Sequence, residues 1–218
     1  FEIDLVVAPG HAQAGGAQAL AERMSREFSV VFAGNLGVAQ SLETILHAAE
    51  RLQDSGVPVR FFLVGSGSRS DWLQEQLAQR RLGNVELPGR FPPQCMGTIY
   101  AAASALLVSL RDEPIFAMTI PSKVQGYLAA GRPVIASLNG EGARVIREAQ
   151  AGFACPAGDG DALAAAITAL FHLDRDARRD LGENARLYAE RHFSLDRLAL
   201  ELAARLEDLS ANFRRESR

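Results

Sequence analysis

Pro121-Ser122-Lys123 leads into Tyr127-Leu128-Ala129-Ala130-Gly131-Arg132-Pro133-Val134-Ile135-Ala136-Ser137, and this stretch decides the fold. A proline at a helix start fixes φ and gives up an amide hydrogen that has no partner there. Gly131 stops the helix, and the run from Pro133 opens a buried strand. The pattern is therefore helix, tight turn, strand. The amides after Pro121 point outward, and the macrodipole makes that end a place for negative charge. Lys123 adds a cation at the same mouth, predicted to be mobile. A lysine in the first turn opposes the dipole and costs stability unless an anion compensates. Such a helix start, inside an α/β chain, suits a phosphate-bearing ligand.

The same alternation extends in both directions. Strands are expected at residues 30–34, 60–65, 85–87, 105–109, 133–137 and 152–155. Helices are expected near 40–54, 70–81, 94–103, 141–149 and 160–172, the last starting at Asp159-Gly160-Asp161, where an acidic side chain can cap orphan amides. Everything after about residue 175 reads as helical and charge-patterned. Residues 3–8 read as a short strand and 9–18 as a loop or linker. Short apolar runs alternating with amphipathic helices imply βαβ units and a parallel sheet. Right-handed crossovers make it doubly wound, and a Rossmann-like order 3-2-1-4-5-6 is expected. Ligands of such sheets sit beyond the carboxyl ends of the strands. That directs attention to the loops 34–39, 65–69, 88–93, 110–121 and 138–142.

Composition bounds the rest. The chain has 218 residues, 48% of them apolar, with a net charge of −3. No basic field advertises nucleic acid. Arg178-Arg179 and Arg214-Arg215 read as solvated helix faces. Cys95 and Cys155 stand far apart without CxxC spacing, which argues against a disulfide framework or a zinc site and suits a reducing compartment. No apolar run approaches the ~18 residues of a membrane span. Phe1-Glu2-Ile3-Asp4 lacks the basic start of a signal peptide, and the chain does not begin with methionine, so a piece of a longer protein is expected.

Several loops can carry chemistry. Gly34-Asn35-Leu36-Gly37 ends the first strand; its glycines permit a tight turn and close approach of a diphosphate, or simply a βα turn. Gly65-Ser66-Gly67-Ser68 ends the second strand. It imitates a dinucleotide fingerprint but has Ser70 in place of the third glycine and follows the wrong strand. Pro88-Gly89-Arg90-Phe91-Pro92-Pro93 offers an aromatic ring in a stiffened loop, able to cover a base or to pack on the domain. Arg111, Asp112 and Glu113 lie at the rim after the fourth strand, as ligand contacts or as a solvated loop. His11, His47, His172 and His192 have no metal-ligand spacing, and no HExxH, GxSxG or Walker motif occurs.

Taken together, the motifs resemble the C-terminal, donor-binding domain of retaining glycosyltransferases of the GT-B fold, family 4. The resemblance runs from Val30 to about Leu209. It is carried by Phe32 to Gly37, Phe62 to Gly67, Pro88 to Arg90, Ile99 to Ser104, Pro121 to Lys123, Tyr127 to Ala136, and Gly152-Phe153 with Pro156 to Asp159. The Pro-Ser-Lys plus Ala-Ala-Gly-Arg-Pro-Val combination resembles the branch that builds bacterial surface polysaccharides. Glu183 to Arg186 and Phe193-Ser194 resemble the closing helices, which in the family cross back to the N-terminal domain.

The resemblance implies transfer of a sugar from a nucleotide-sugar, by family habit a UDP-sugar, to a glycan or lipid-linked acceptor with retention. No cofactor and no metal is expected. Gly34, Asn35, Leu36, Gly37, Ser122 and Lys123 are the expected phosphate contacts. Gly65, Ser66, Arg90, Phe91, Glu113, Asn139 and Glu141 are expected around base, ribose and sugar, and no catalytic residue is assigned. Residues 1–29 are expected to be a linker or short strand from a missing N-terminal domain, and 30–218 the nucleotide-sugar-binding domain. This fragment alone is expected to be inactive. The expected location is cytoplasmic or peripheral at the inner face of the membrane, without nucleic acid as partner. The chain departs from the family twice. A common pair of glutamates is replaced by Met118 and Gly126, and the loop Asn35 to Ser41 lacks the usual Arg and Lys. A non-catalytic nucleotide-sugar module and a UDP-sugar 2-epimerase of the same fold are the alternatives.

Overall fold

The computed structural model describes residues 14–216. A six-stranded parallel sheet runs through it in the order β3-β2-β1-β4-β5-β6. The strands are β1 Phe28–Asn35, β2 Val59–Ser66, β3 Val85–Gly89, β4 Ala105–Ser109, β5 Val134–Ser137 and β6 Gly152–Cys155. The helices are α1 Ala14–Met24, α2 Leu42–Asp54, α3 Ser70–Arg80, α4 Met96–Ala102, α5 Pro114–Ala117, α6 Ser122–Ala129, α7 Gly140–Glu148, α8 Gly160–His172, α9 Arg175–His192 and α10 Leu195–Glu216. Topology and strand order are those of the doubly wound reading.

The central strands are apolar on both faces because both are covered. Alternation along each strand sorts the side chains. Val31, Ala33, Phe62, Val64, Leu106, Val108, Val134 and Ala136 pack on residues of α1, α4, α6, α7 and α9. Val30, Phe32, Phe61, Leu63, Ala105, Leu107 and Ile135 pack on α2, α3 and α8. Each fully buried Leu or Phe contributes roughly 1.5–3 kcal/mol of transfer free energy, so these two layers dominate stability. Polar ends are handled locally: Asp159 accepts from the Ala162 amide at 2.8 Å, and Asp174 from the Ala177 amide at 2.7 Å. Caps of this kind are worth about 1 kcal/mol each.

Three expectations are corrected. The linker reading fails for residues 14–24, which form α1; Ala17, Leu20, Ala21 and Met24 are buried. The domain therefore begins before Val30, and β1 itself begins at Phe28. The expected strand at 3–8 lies outside the described residues, as do His11 and the side chains of Arg214 and Arg215. The rim after β4 also holds a short helix, α5, where only a loop was expected. Arg178 is not a purely solvated residue: it donates to the Phe171 carbonyl at 3.0 Å and lies over the Phe28 ring.

One irregularity positions the site. β1 pairs with β2 along its whole length, from Phe28 opposite Val59 to Asn35 opposite Ser66. It pairs with β4 only at Val30 with Ala105 and Val31 with Leu106. Beyond Val31 the two strands diverge, and the sheet splits where its strand order reverses.

Candidate functional site

The split between β1 and β4 is filled from α6. Tyr127 is buried, and its hydroxyl accepts from the Ala33 amide at 2.9 Å and donates to the Ala33 carbonyl at 3.2 Å. It thereby satisfies backbone groups that β4 leaves without a ladder partner. Burial raises the Tyr127 phenol well above its ordinary range, so it stays protonated. Lys123 lies four residues earlier on the same helical face. Its stem crosses Gly34, where an added Cβ would sit 2.7 Å from Lys123 Cε. Its ammonium reaches the side chain of Gln40, to which it donates, and stands 4.0 Å from the centre of the Phe32 ring. Val124 and Tyr127 belong to one core layer and Phe32 to the other. Lys123 thus passes through the split from one side of the sheet to the other.

The expectation of a mobile cation is corrected here: Lys123 is half-buried and held at three points. Burial lowers its pKa to about 8. No carboxylate lies within ion-pair distance of it among the described residues. A partly desolvated ammonium without a counter-charge is costly, and its position at the carboxyl ends of the strands is where anionic ligands of such sheets bind.

A cavity of about 560 Å³ opens between the ends of β1 and β2 and the loop before α4; Lys123 does not line it, and its stem meets the wall at Gly34. Gly34, Asn35, Gly65, Ser66, Arg90 and Phe91 line it, together with Met96 and Tyr100. Close approach of the two glycine loops makes this possible. Gly65 has φ +144°, and a Cβ there would lie 1.9 Å from the Gly34 carbonyl oxygen. Phe91 both lines the cavity and packs against the core layer that contains Tyr127. Tyr100 meets Tyr127 edge to face at 5.3 Å, and burial raises its pKa. The site is thus continuous from Lys123 through Tyr127 to the cavity wall. A second cavity, about 600 Å³, opens at the opposite ends of the strands around Arg26, Phe28 and Phe171.

The remaining predicted contacts are arranged differently. Leu36 is buried and its amide donates to the Ser66 carbonyl at 3.0 Å, so that amide is spent joining the two loops. Gly37 is buried behind it, and Ser122 is exposed at the start of α6. Glu113, Asn139 and Glu141 do not line the cavity. Asn139 Nδ2 donates to Asp112 Oδ1 at 2.8 Å, and its oxygen accepts from the Ala157 amide. Glu141 pairs with Arg144 at 2.9 Å on the surface of α7. Glu113 is exposed, and its carbonyl accepts from the Phe116 amide. Gln40, Tyr100 and Tyr127 were not among the predicted contacts. Tyr127 carried a signal in the quoted helix, at the i+4 position from Lys123. Gln40 carried none. Among the described residues no group of three His, Cys, Asp or Glu side chains stands close enough to hold a metal ion, and no helix is long and apolar enough to cross a membrane.

Comparison with known proteins bears on this geometry. Residues 27–172 match the family described as Glycosyl transferases group 1. A probable glycosyltransferase, WbjE, of Pseudomonas aeruginosa is 30% identical over 145 residues, which is 66% of this chain and 36% of that protein. A putative colanic acid biosynthesis glycosyltransferase, WcaL, of Escherichia coli K12 is 26% identical over 182 residues, 83% of this chain and 45% of that protein. The chain thus spans less than half the length of both relatives. Among solved structures, Anabaena Alr3699/HepE in complex with UDP superposes with a TM-score of 0.74 at 18% identity, covering 91% of this chain and 54% of that one. Sucrose-phosphate synthase from Thermosynechococcus elongatus gives 0.71 at 22% identity, covering 91% and 49%. These likenesses establish the fold: the sheet and its helices are one half of a GT-B architecture.

Proposed function

The chain belongs to the group 1 glycosyl transferases, and from that premise we propose that it is the donor-binding domain of a retaining, family 4 enzyme that moves a sugar from a UDP-sugar to a glycan or lipid-linked acceptor. The observation that carries the reading is the uncompensated Lys123 ammonium at the switch point of the sheet, on a stem that crosses Gly34 in the wall of the 560 Å³ cavity. In this reading the base and ribose occupy the cavity against Phe91, Arg90 and the Gly65-Ser66 turn. The diphosphate lies over Gly34 and Asn35, facing Lys123 and the first amides of α6. The sugar extends toward the loops after β4 and β5, where Glu113 and Asn139 stand.

The chemistry asked of this half is modest. As the bond from the anomeric carbon to the β-phosphate oxygen breaks, the leaving oxygen takes the electron pair and its charge grows. A fixed ammonium and helix-end amides stabilise that charge without reorganising, which is the larger part of catalysis in sites of this kind. No metal is part of this proposal. The complementary half of the enzyme supplies the acceptor site, and the exposed leucines of α10 are the surface against which it packs. A cytoplasmic location, at or near the inner face of a membrane, accords with lipid-linked acceptors. A second reading, a nucleotide-sugar module without turnover, is favoured by Gly126, which leaves α6 without a carboxylate facing the ribose.

Calorimetric titration of the chain with UDP, GDP and NAD tests the proposal. UDP is expected to bind and NAD not to. Lys123→Ala is expected to weaken UDP by at least about tenfold, the scale of a hydrogen bond to a charged group. Equal affinity in the variant removes Lys123 from the site. Turnover in the full-length protein separates the enzyme from the silent module.

A further inference from the structure

Gln40 belongs to a single 3-10 turn, Val38–Gln40, between β1 and α2. Its side-chain oxygen accepts the Lys123 ammonium, and this is the only hydrogen bond recorded for that ammonium among the described residues. The turn closes on itself, the Gln40 amide donating to the Gly37 carbonyl at 3.2 Å, and is tied at its middle by the Arg111 amide, which donates to the Ala39 carbonyl at 3.0 Å. Arg111 follows β4, so this bond ties the segment after β1 to the segment after β4 across the split. The turn is therefore a rigid arm from which the glutamine reaches the ammonium.

The identity of the acceptor matters as much as its place. A neutral carbonyl oxygen orients an ammonium and leaves its full charge in place. A carboxylate there would orient it equally well and cancel the charge. Two further contacts of Lys123 follow the same rule: the Phe32 ring offers its face, and the Gly34 position offers no side chain at all. Gln40, Phe32 and Gly34 thus meet the cation without neutralising it.

Resting on the donor-site reading above, we propose that Gln40 is a positioning residue for sugar transfer. It holds the Lys123 ammonium across the end of β1 with its charge undiminished, ready for the donor diphosphate. The glutamine does not touch the leaving group; it acts through the lysine.

The test uses UDP and uridine as paired probes, because only UDP carries the diphosphate. Gln40→Glu keeps the size and reach of the side chain but pairs Lys123 with a carboxylate. It is expected to weaken UDP by roughly tenfold or more, in keeping with the loss of a charge-assisted bond, and to leave uridine unchanged. The exchange of both residues, Gln40→Lys with Lys123→Gln, returns one cation and one amide to the same place. It is expected to recover UDP affinity to within about threefold of the unaltered chain, since one interaction of ~0.6 kcal/mol is a factor of about three. Lys123→Gln alone is the weak reference. Equal UDP affinity in Gln40→Glu overturns the proposal. So does a uridine loss as large as the UDP loss, which would mark a structural disturbance, and so does an exchange variant no better than Lys123→Gln. If the unaltered chain binds no UDP, the donor-site reading itself falls, an outcome distinct from all of these.

Discussion

At the residue scale, Lys123 makes two pH trends run in opposite directions. Its folded pKa is lowered to about 8 from an ordinary 10.5, with burial the cause. Between these values the unfolded chain holds a proton that the folded chain has released. Stability then rises with pH across that window, because the unfolded state binds more protons there. Anion binding needs the charged form and falls across the same window. UDP affinity is expected to decline as pH rises through 8, while the midpoint of urea unfolding shifts upward. Titration and unfolding curves at pH 7 and pH 9 check both signs, and Lys123→Met should flatten both. Gly34 gives a second prediction at this scale. An alanine there is strained twice, by φ +139° and by a Cβ 2.7 Å from Lys123 Cε. Gly34→Ala is expected to cost about 1–3 kcal/mol in stability, the usual price of a forced backbone, and to weaken UDP by displacing the lysine. Unaltered UDP affinity would mean that the stem can move aside without consequence.

At the element scale, α6 explains how much of the site could be read in advance. Its start, its stop and the strand after it were legible because proline, glycine and β-branched residues punctuate the chain directly. Lys123 was legible as a cation at a helix start. Its path through the sheet was not, because that depends on β1 and β4 parting after Val31, a register fact no local pattern encodes. Gln40 was invisible for the same reason, since its importance is a contact across 83 residues of sequence. Helix α1 was misread because Gly15 and Gly16 lower helix propensity; tertiary burial of Leu20 and Met24 overrides it. Gly126 yields the prediction at this scale. It sits inside α6, and a Cβ there meets nothing within 4 Å. Gly126→Glu is expected to stabilise by roughly 0.5–1 kcal/mol through helix propensity alone. It should also strengthen UDP severalfold by offering the ribose an acceptor. Thermal melting reads the first effect and titration the second; a higher melting point with unchanged UDP affinity would turn this face of α6 away from the ribose.

At the scale of the whole molecule, the buried core and the candidate site are complete without the last helix. Every residue of α10 from Leu195 to Leu209 is exposed. Leu195, Leu198, Leu202, Leu206 and Leu209 recur at intervals of three and four, one stripe along the helix. Such a stripe contributes nothing to a core it does not enter, and in water it favours association with whatever apolar surface is available. The curated relatives run to more than twice the length matched here, and in the donor-domain proposal it is the complementary half that covers the stripe. A chain ending at Ser194 is therefore expected to keep its melting temperature to within about 2 °C, less than the shift that 1 kcal/mol produces in a domain of this size. It should also keep its UDP affinity and become more soluble. A loss of several degrees would show that α10 braces α9 in spite of its exposure. A loss of UDP affinity with the melting temperature preserved would place part of the donor site on the last helix, and the geometry built around Lys123 and Gln40 would then be only a portion of it.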